Sequence, residues 1–247
     1  MNSSIEDLAV VAVSGGMDSC VTAAIANEKY RLAFAHINYG QRTEKRELKA
    51  FKDIADYFNV KERLIIDYTH LSKIGGSSLT DIDIPVSKAD LNNERNLSAG
   101  RQVPTSYVPF RNANILSACV SWAEVLNAKA VFIGAVYEDS SGYPDCRPEY
   151  LEAFQHLANL AAKSAVEGKG EIRIHAPLMN MTKADIIRTG HEAGVDFSLT
   201  HSCYDPAPEG SACGECDSCI LRRQGFKKAG IPDPTWYAAK KRKSKRS

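Results

Sequence analysis

Residues 14–19 read Ser14-Gly15-Gly16-Met17-Asp18-Ser19, placing adjacent glycines, hydroxyls and a carboxylate on one short turn. Glycine reaches backbone conformations closed to other residues and lets main-chain N–H groups come close to an anion. Ser14 and Ser19 add hydroxyl donors, and Asp18 can hold a metal ion or orient phosphate groups. With Val13 leading in and Cys20 following, residues 13–20 form a candidate cradle for nucleotide phosphates. No Gly-Lys-Ser/Thr follows, which separates this turn from the loop that works on a terminal phosphate.

A cysteine group points to a metal. Cys203, Cys213, Cys216 and Cys219 have the spacing C-x9-C-x2-C-x2-C, two overlapping knuckles plus a fourth thiolate. That set suits a tetrahedral all-sulfur zinc site, with Gly210 and Gly214 supplying the tight turns. With every position occupied by protein, such an ion is structural and has no open place for catalysis. A disulfide pair is disfavoured by a reducing compartment, and buried free thiols by the dense clustering. Cys20 and Cys119 lack such spacing and read as packing residues, while Cys146 stands beside Asp145.

The elements around these groups alternate strand and helix. Leu8–Val13 is a short apolar run, followed after the glycine turn by Val21, Ala24 and Ile25 at helical spacing. Strand, glycine turn and helix aim a helix N-terminus at the ligand. Further strands are expected at 31–38, 60–67, 130–136 and 172–176, with helices at 44–58, 112–126 and 148–167. Thr182-Lys183-Ala184-Asp185 resembles a capping box ahead of Ile186 and Ile187. This order predicts an α/β fold: a doubly wound parallel sheet that binds ligands at the carboxyl ends of its strands. Residues 1–200 would form that domain, with a long irregular insertion at 68–106, and residues 201–235 a small C-terminal zinc-binding segment.

Composition narrows the function classes. The chain has 247 residues, 44% hydrophobic and 25% charged, with a formal net charge of +1. The tail at 236–247 holds a run of Lys240, Lys241, Arg242, Lys243, Lys245 and Arg246, so the rest of the chain is net acidic and poorly matched to nucleic acid. The tail reads as a solvated end, with a weak RNA or acidic-partner contact as the alternative. No run approaches the roughly 20 apolar residues of a membrane span, and Met1–Asp7 is too polar for a signal peptide. A cytoplasmic protein without a membrane role is expected.

The phosphate turn resembles the signature of the PP-loop ATP pyrophosphatases, which cleave ATP between the α and β phosphates. Further segments are similar to the 7-cyano-7-deazaguanine synthase family of queuosine biosynthesis. They are His36-Ile37-Asn38-Tyr39-Gly40-Gln41-Arg42, Ser77-Ser78-Leu79-Thr80-Asp81, and residues 104–112 from Pro104 to Asn112. Ser141-Gly142-Tyr143-Pro144-Asp145-Cys146-Arg147 and Cys213-Gly214-Glu215-Cys216-Asp217-Ser218-Cys219 complete the match over residues 9 to 235. The resemblance implies an ATP-dependent ligase that turns 7-carboxy-7-deazaguanine and ammonia into 7-cyano-7-deazaguanine through adenylated intermediates, with another PP-loop adenylating enzyme, such as a tRNA-thiolating or amide-forming ligase, as the alternative. It also implies a homodimer, and ATP used with magnesium.

Three candidates follow for that chemistry: Asp18 at the phosphates, and Arg111 and Lys183 as cations, each of the cations equally compatible with a surface ion pair. A guanine-like ring presents a row of N–H donors that a carboxylate accepts as a pair. Asp145 is the first candidate for that contact and Asp81 the second, against the alternative of a loop carboxylate that caps a helix or pairs with Arg147. His36, near a strand end, reads as a packed histidine or as one at the mouth of the site.

Overall fold

The computed structural model describes residues 7–87, 103–137 and 142–239. In chain order the elements are β1 (Leu8–Ala12), α1 (Met17–Asn27), β2 (Arg31–Asn38), α2 (Glu44–Tyr57), β3 (Glu62–Asp67) and α3 (His70–Ile74). There follow α4 (Arg111–Leu126), β4 (Ala130–Phe132), α5 (Pro148–Ala161), α6 (Lys163–Val166), β5 (Arg173–His175), α7 (Lys183–Glu192) and α8 (Asp217–Ala229). The strands form one sheet in the order β3-β2-β1-β4-β5, with every pairing parallel.

Helices cover both faces, which explains why the central strands are continuous apolar runs rather than alternating ones. In β1 the side chains still divide by period two. Val11 and Val13 join Phe34, Phe51, Ile186 and Phe226 on the side of α1, α2, α7 and α8. Val10 and Ala12 join Leu116, Cys119 and Phe154 on the side of α4 and α5. Burial pushes the thiols of Cys20 and Cys119 up to about 12, which fits their packing role. Among the described residues, no helix is long and apolar enough to cross a membrane.

Three expectations change in detail. The helix expected at 148–167 is two helices, because Ala162 is extended (φ −70°, ψ 130°) and the Glu124 carboxylate accepts the Lys163 N–H at 2.8 Å to start α6. The strand expected at 130–136 stops at Phe132, since its neighbour β5 spans only Arg173–His175. The insertion at 68–106 contains the short helix α3; its residues 88–102, like the basic run from Lys240, lie outside the described residues. The capping box does form: Thr182 Oγ1 accepts the Asp185 N–H at 3.3 Å, and Asp185 accepts the Thr182 N–H at 3.3 Å.

Helix α7 lies close to α1 because Gly190 carries no side chain. A Cβ there would stand 2.7 Å from both the Phe197 ring and Val21 Cγ2, in a buried contact. Gly190→Ala should therefore overpack this seam and cost about 1–3 kcal/mol, read as a Tm lowered by roughly 2–10 °C. An unchanged melting curve would show that the two helices move apart freely.

Candidate active site

Strand β1 lies between β2 and β4, and the chain runs outward from it in both directions, so the carboxyl ends of β1 and β4 leave a crevice. A cavity of about 300 Å³ opens there. Ser14, Gly16, Asp18 and Ser19 line it from the β1–α1 turn, and Gly134 and Ala135 from the chain after β4.

The turn is held by its glycines in different ways. Gly15 has φ +88°, and a Cβ on it would lie 2.5 Å from the Glu47 carbonyl oxygen of α2, so only glycine fits. Gly16 has an ordinary φ of −81° and serves as the N-cap of α1. Its constraint is close approach, with a Cβ meeting Ser14 Oγ at 3.2 Å and the His201 carbonyl at 3.6 Å. Gly134 lets the first turn of α1 approach the end of β4, where a Cβ would touch Ser19 N at 3.1 Å. Ser14 Oγ accepts the Gly16 N–H at 3.2 Å, and Ser19 Oγ donates to the Gly16 carbonyl at 2.9 Å. The N-terminal end of the α1 dipole thus fronts the cavity, an arrangement that favours anions.

The cations of the sequence reading both reach this space. Lys183, the first residue of α7, donates to Asp18 Oδ1 and Oδ2 at 3.0 and 2.8 Å across the loop. The α8 backbone presses against it at Gly225, where a Cβ would lie 2.7 Å from Lys183 Cγ. Arg111 opens α4 after Phe110, which turns the chain through a left-handed conformation at φ 59°. Its Nη1 donates to Tyr39 Oη at 3.2 Å, and its guanidinium carbon stands 5.4 and 5.7 Å from the Tyr39 and Tyr143 ring centres. Burial opposes the charge on Arg111, but the fields of Tyr39, Tyr143 and Asp145 raise its proton affinity. Among the described residues, no carboxylate lies within ion-pair distance of Arg111.

Asp145 and Asp81 do not line the cavity. Asp145 sits behind its wall in a short helical turn, Pro144–Cys146, where Oδ2 accepts the Asn112 N–H at 3.0 Å and its carbonyl accepts from Asn112 Nδ2 at 2.9 Å. Its Oδ1 is buried without a hydrogen-bond partner, and burial raises the carboxyl above its usual range. The structure thus gives Asp145 the helix-capping contact weighed as its alternative, with Asn112 and not Arg147 as the partner. Asp81 accepts the Asp83 N–H at 2.9 Å in a loop that Arg42 fastens through the Asp81 and Ile84 carbonyls. His36 is packed: Nδ1 bonds the Val13 carbonyl at 2.9 Å, and the ring stacks on Phe51.

Several lining residues went unread in the sequence. Tyr39, Tyr143 and Tyr204 supply aromatic walls, and His201, against the glycine turn, and Ser202 also line the cavity. His201 donates its backbone N–H to the Gly15 carbonyl at 2.8 Å; burial lowers its imidazole to about 4, and Nε2 has no partner. Glu47 also lines the cavity, from α2. Its signal was present, since Glu47 falls four residues before Phe51 and seven before Ile54, a carboxylate on an otherwise apolar helical stripe.

The four cysteines come together. The Sγ atoms of Cys203, Cys213, Cys216 and Cys219 all lie within 4.8 Å of one another, with Cys213 and Cys219 at 3.9 Å and no disulfide formed. Four thiolates about 2.3 Å from one tetrahedral ion would sit roughly 3.8 Å apart, so the set fits a metal ion. Backbone N–H groups support the sulfurs: Cys213 N to Cys203 Sγ at 3.2 Å, and Cys216 N and Glu215 N to Cys213 Sγ at 3.3 and 3.4 Å. The same segment walls the cavity through Tyr204, Asp217, Ser218 and Leu221. Cys216→Ser should therefore lose a bound metal ion, about one per chain in the unaltered protein, and weaken nucleotide binding with it. Metal analysis and ATP titration check this, and a metal-free unaltered chain of full stability would contradict it.

Comparison with known proteins places the chain among relatives. Residues 8–230 match the family described as "Queuosine biosynthesis protein QueC". The chain is 52% identical to the 7-cyano-7-deazaguanine synthase of Chlorobium phaeobacteroides over 93% of its own length and 96% of that protein. It is 49% identical to the protein of the same name from Desulfatibacillum aliphaticivorans, over 96% of this chain and 99% of the other. Among solved structures, NMN synthetase from Francisella tularensis is a distant likeness, 15% identical with a TM-score of 0.42, over 94% of this chain and 80% of that one. The chain belongs to the family of the queuosine biosynthesis protein QueC.

Proposed function

We propose that the protein is an ATP-dependent carbon–nitrogen ligase that converts 7-carboxy-7-deazaguanine and ammonia into 7-cyano-7-deazaguanine. The observation that carries this reading is one cavity in which a glycine phosphate turn faces Arg111 and its tyrosines, in a chain whose relatives carry that name. A carboxylate is a poor electrophile, so AMP is first transferred to its oxygen and pyrophosphate leaves. Ammonia displaces AMP to give the amide. A second adenylation, on the amide oxygen, lets AMP leave again as the nitrile forms.

Each adenylation gathers negative charge at the α phosphate, and the chain answers it with fixed groups. The first turn of α1 offers oriented N–H groups, while Asp18 holds the Lys183 ammonium at the loop. Arg111 can take the substrate carboxylate or the adenylate, since no acidic side chain among the described residues neutralises it. The heterocycle is assigned to the aromatic walls of Tyr39, Tyr143 and Tyr204. Asp145 then contributes from behind the wall, holding Asn112 and adding its field at Arg111, while Asp81 lies in the loop that Arg42 fastens. Magnesium bound with ATP would add charge neutralisation at the phosphates, where Asp18, shared with Lys183, is the carboxylate of the loop.

In this reading the four cysteines hold zinc, which suits an all-sulfur tetrahedral set and serves structure. In this reading nitrogen comes from free ammonia, nucleic acid is not a partner, and the protein is a cytoplasmic homodimer. Incubation with ATP, ammonium and 7-carboxy-7-deazaguanine should yield 7-cyano-7-deazaguanine, AMP and pyrophosphate by mass detection. ADP as the nucleotide product would overturn the reading. Lys183→Gln should lower kcat/KM by about 10²–10³-fold with the fold retained, as for loss of one oriented cation at a charged transition state.

A further inference from the structure

Glu47 is a carboxylate in the cavity wall without a cation. Gln41 Nε2 donates to its Oε2 at 3.0 Å and Thr43 Oγ1 donates to its Oε1, and Gln41 is itself oriented by the Tyr39 N–H at 2.9 Å. Among the described residues no lysine, arginine or histidine lies within ion-pair distance of it. The charged or titratable neighbours coupled to it by their fields are His36, packed behind on β2, Arg111 and Tyr39. Asp18, the acid of the phosphate turn, is already paired with Lys183. A carboxylate enclosed in this way holds its charge at a cost unless a cation joins it. Burial raises its proton affinity accordingly.

We propose that Glu47 is the binding site and proton acceptor for the ammonium ion. This rests on the ligase reading above. Ammonium is small enough to enter a cavity of about 300 Å³ beside a carboxylate of its lining, and it is the one cationic reactant of that reaction. At neutral pH the nitrogen arrives as NH4+, which has no lone pair. Glu47 takes one proton from it and leaves NH3. The nitrogen lone pair forms the C–N bond to the acyl carbon as the C–O bond to AMP breaks, and AMP leaves with that electron pair. The attached nitrogen loses one more proton to solvent, giving the neutral amide, and Glu47 returns its own proton to solvent before the next turn. Arg111, another residue of the same lining, takes the anionic reactant, so groups of opposite charge hold the two reactants.

The test separates adenylation from nitrogen capture. Exchange of labelled pyrophosphate into ATP, with 7-carboxy-7-deazaguanine and no ammonium, reads adenylation alone. Glu47→Gln should keep this exchange within about threefold of the unaltered enzyme while raising the KM for ammonium at least tenfold. Hydroxylamine, a nucleophile largely uncharged at neutral pH, should discharge the adenylate at a near-normal rate in that variant. Glu47→Asp, which keeps the charge on a shorter arm, should fall between the two, and it carries the same comparison if the glutamine variant does not fold. Independently of turnover, ammonium chloride should raise the Tm of the unaltered protein by about 2 °C over sodium chloride at equal ionic strength, and should not do so in Glu47→Gln. An unchanged ammonium KM, exchange that falls in step with nitrogen use, or equal effects of the two salts would overturn the proposal. No exchange in the unaltered enzyme would overturn the ligase reading itself, and this inference with it.

Discussion

The site depends on one steric constraint, the approach of the α1 N-terminus to the ends of β1 and β4. Gly15 turns the chain back beneath α2 with its α-carbon facing the Glu47 carbonyl, and Gly134 removes the side chain that would hold α1 away from β4. A methyl group at Gly15 has no room, and one at Gly134 would press the first turn of α1 away by a few tenths of an ångström, so the helix dipole and the loop N–H groups would no longer meet at one point. From that contact the other groups take their positions. Lys183 reaches Asp18 because α7 packs on α1 through Gly190, and α8 supports Lys183 through Gly225.

The cysteine cluster belongs to this same site and is not an appendage to it. The helix that carries Cys219 begins at Asp217, and its first turns wall the cavity opposite the phosphate loop. Arg222, almost fully buried, ties that helix to Thr200, Ser202 and the Phe197 carbonyl on the chain entering the cluster, and pairs with Asp233 on the chain leaving α8. A metal ion held by four thiolates would thus stabilise the wall that faces the nucleotide, although it has no open position for chemistry. The segment after residue 200 has its own small cluster around Cys203, Ala212, Cys216 and Cys219, and hydrogen bonds tie it to the sheet domain. His201 bonds Gly15 and Arg46 bonds Gly210, so the two segments share contacts on both sides of the turn.

What was legible in the sequence was what local pattern determines. The glycine turn, the alternation of strands and helices, the capping box at Thr182 and the cysteine knuckle each follow from residues close in sequence. The role of Asp145 was not legible in the same way. Its position after Ser141-Gly142-Tyr143-Pro144 suggested a carboxylate held out to the ring, but whether it faces ligand or α4 depends on where α4 starts. That start is set by the left-handed turn at Phe110, more than thirty residues earlier in the chain. The tyrosine walls were hidden for a related reason, since Tyr39, Tyr143 and Tyr204 come from three distant segments that meet only around Arg111. Glu47 could have been found, because a carboxylate on the apolar stripe of α2 demands a partner that the helix does not supply.

The central claim is that this cavity activates a carboxylate by transferring AMP to its oxygen. It is tested most directly by following that oxygen. With 7-carboxy-7-deazaguanine labelled with ¹⁸O at both carboxylate positions, complete turnover should form two AMP molecules per nitrile, each carrying one labelled oxygen on its phosphate, with the pyrophosphate unlabelled. Label recovered in inorganic phosphate or in water, with AMP unlabelled, would contradict the account.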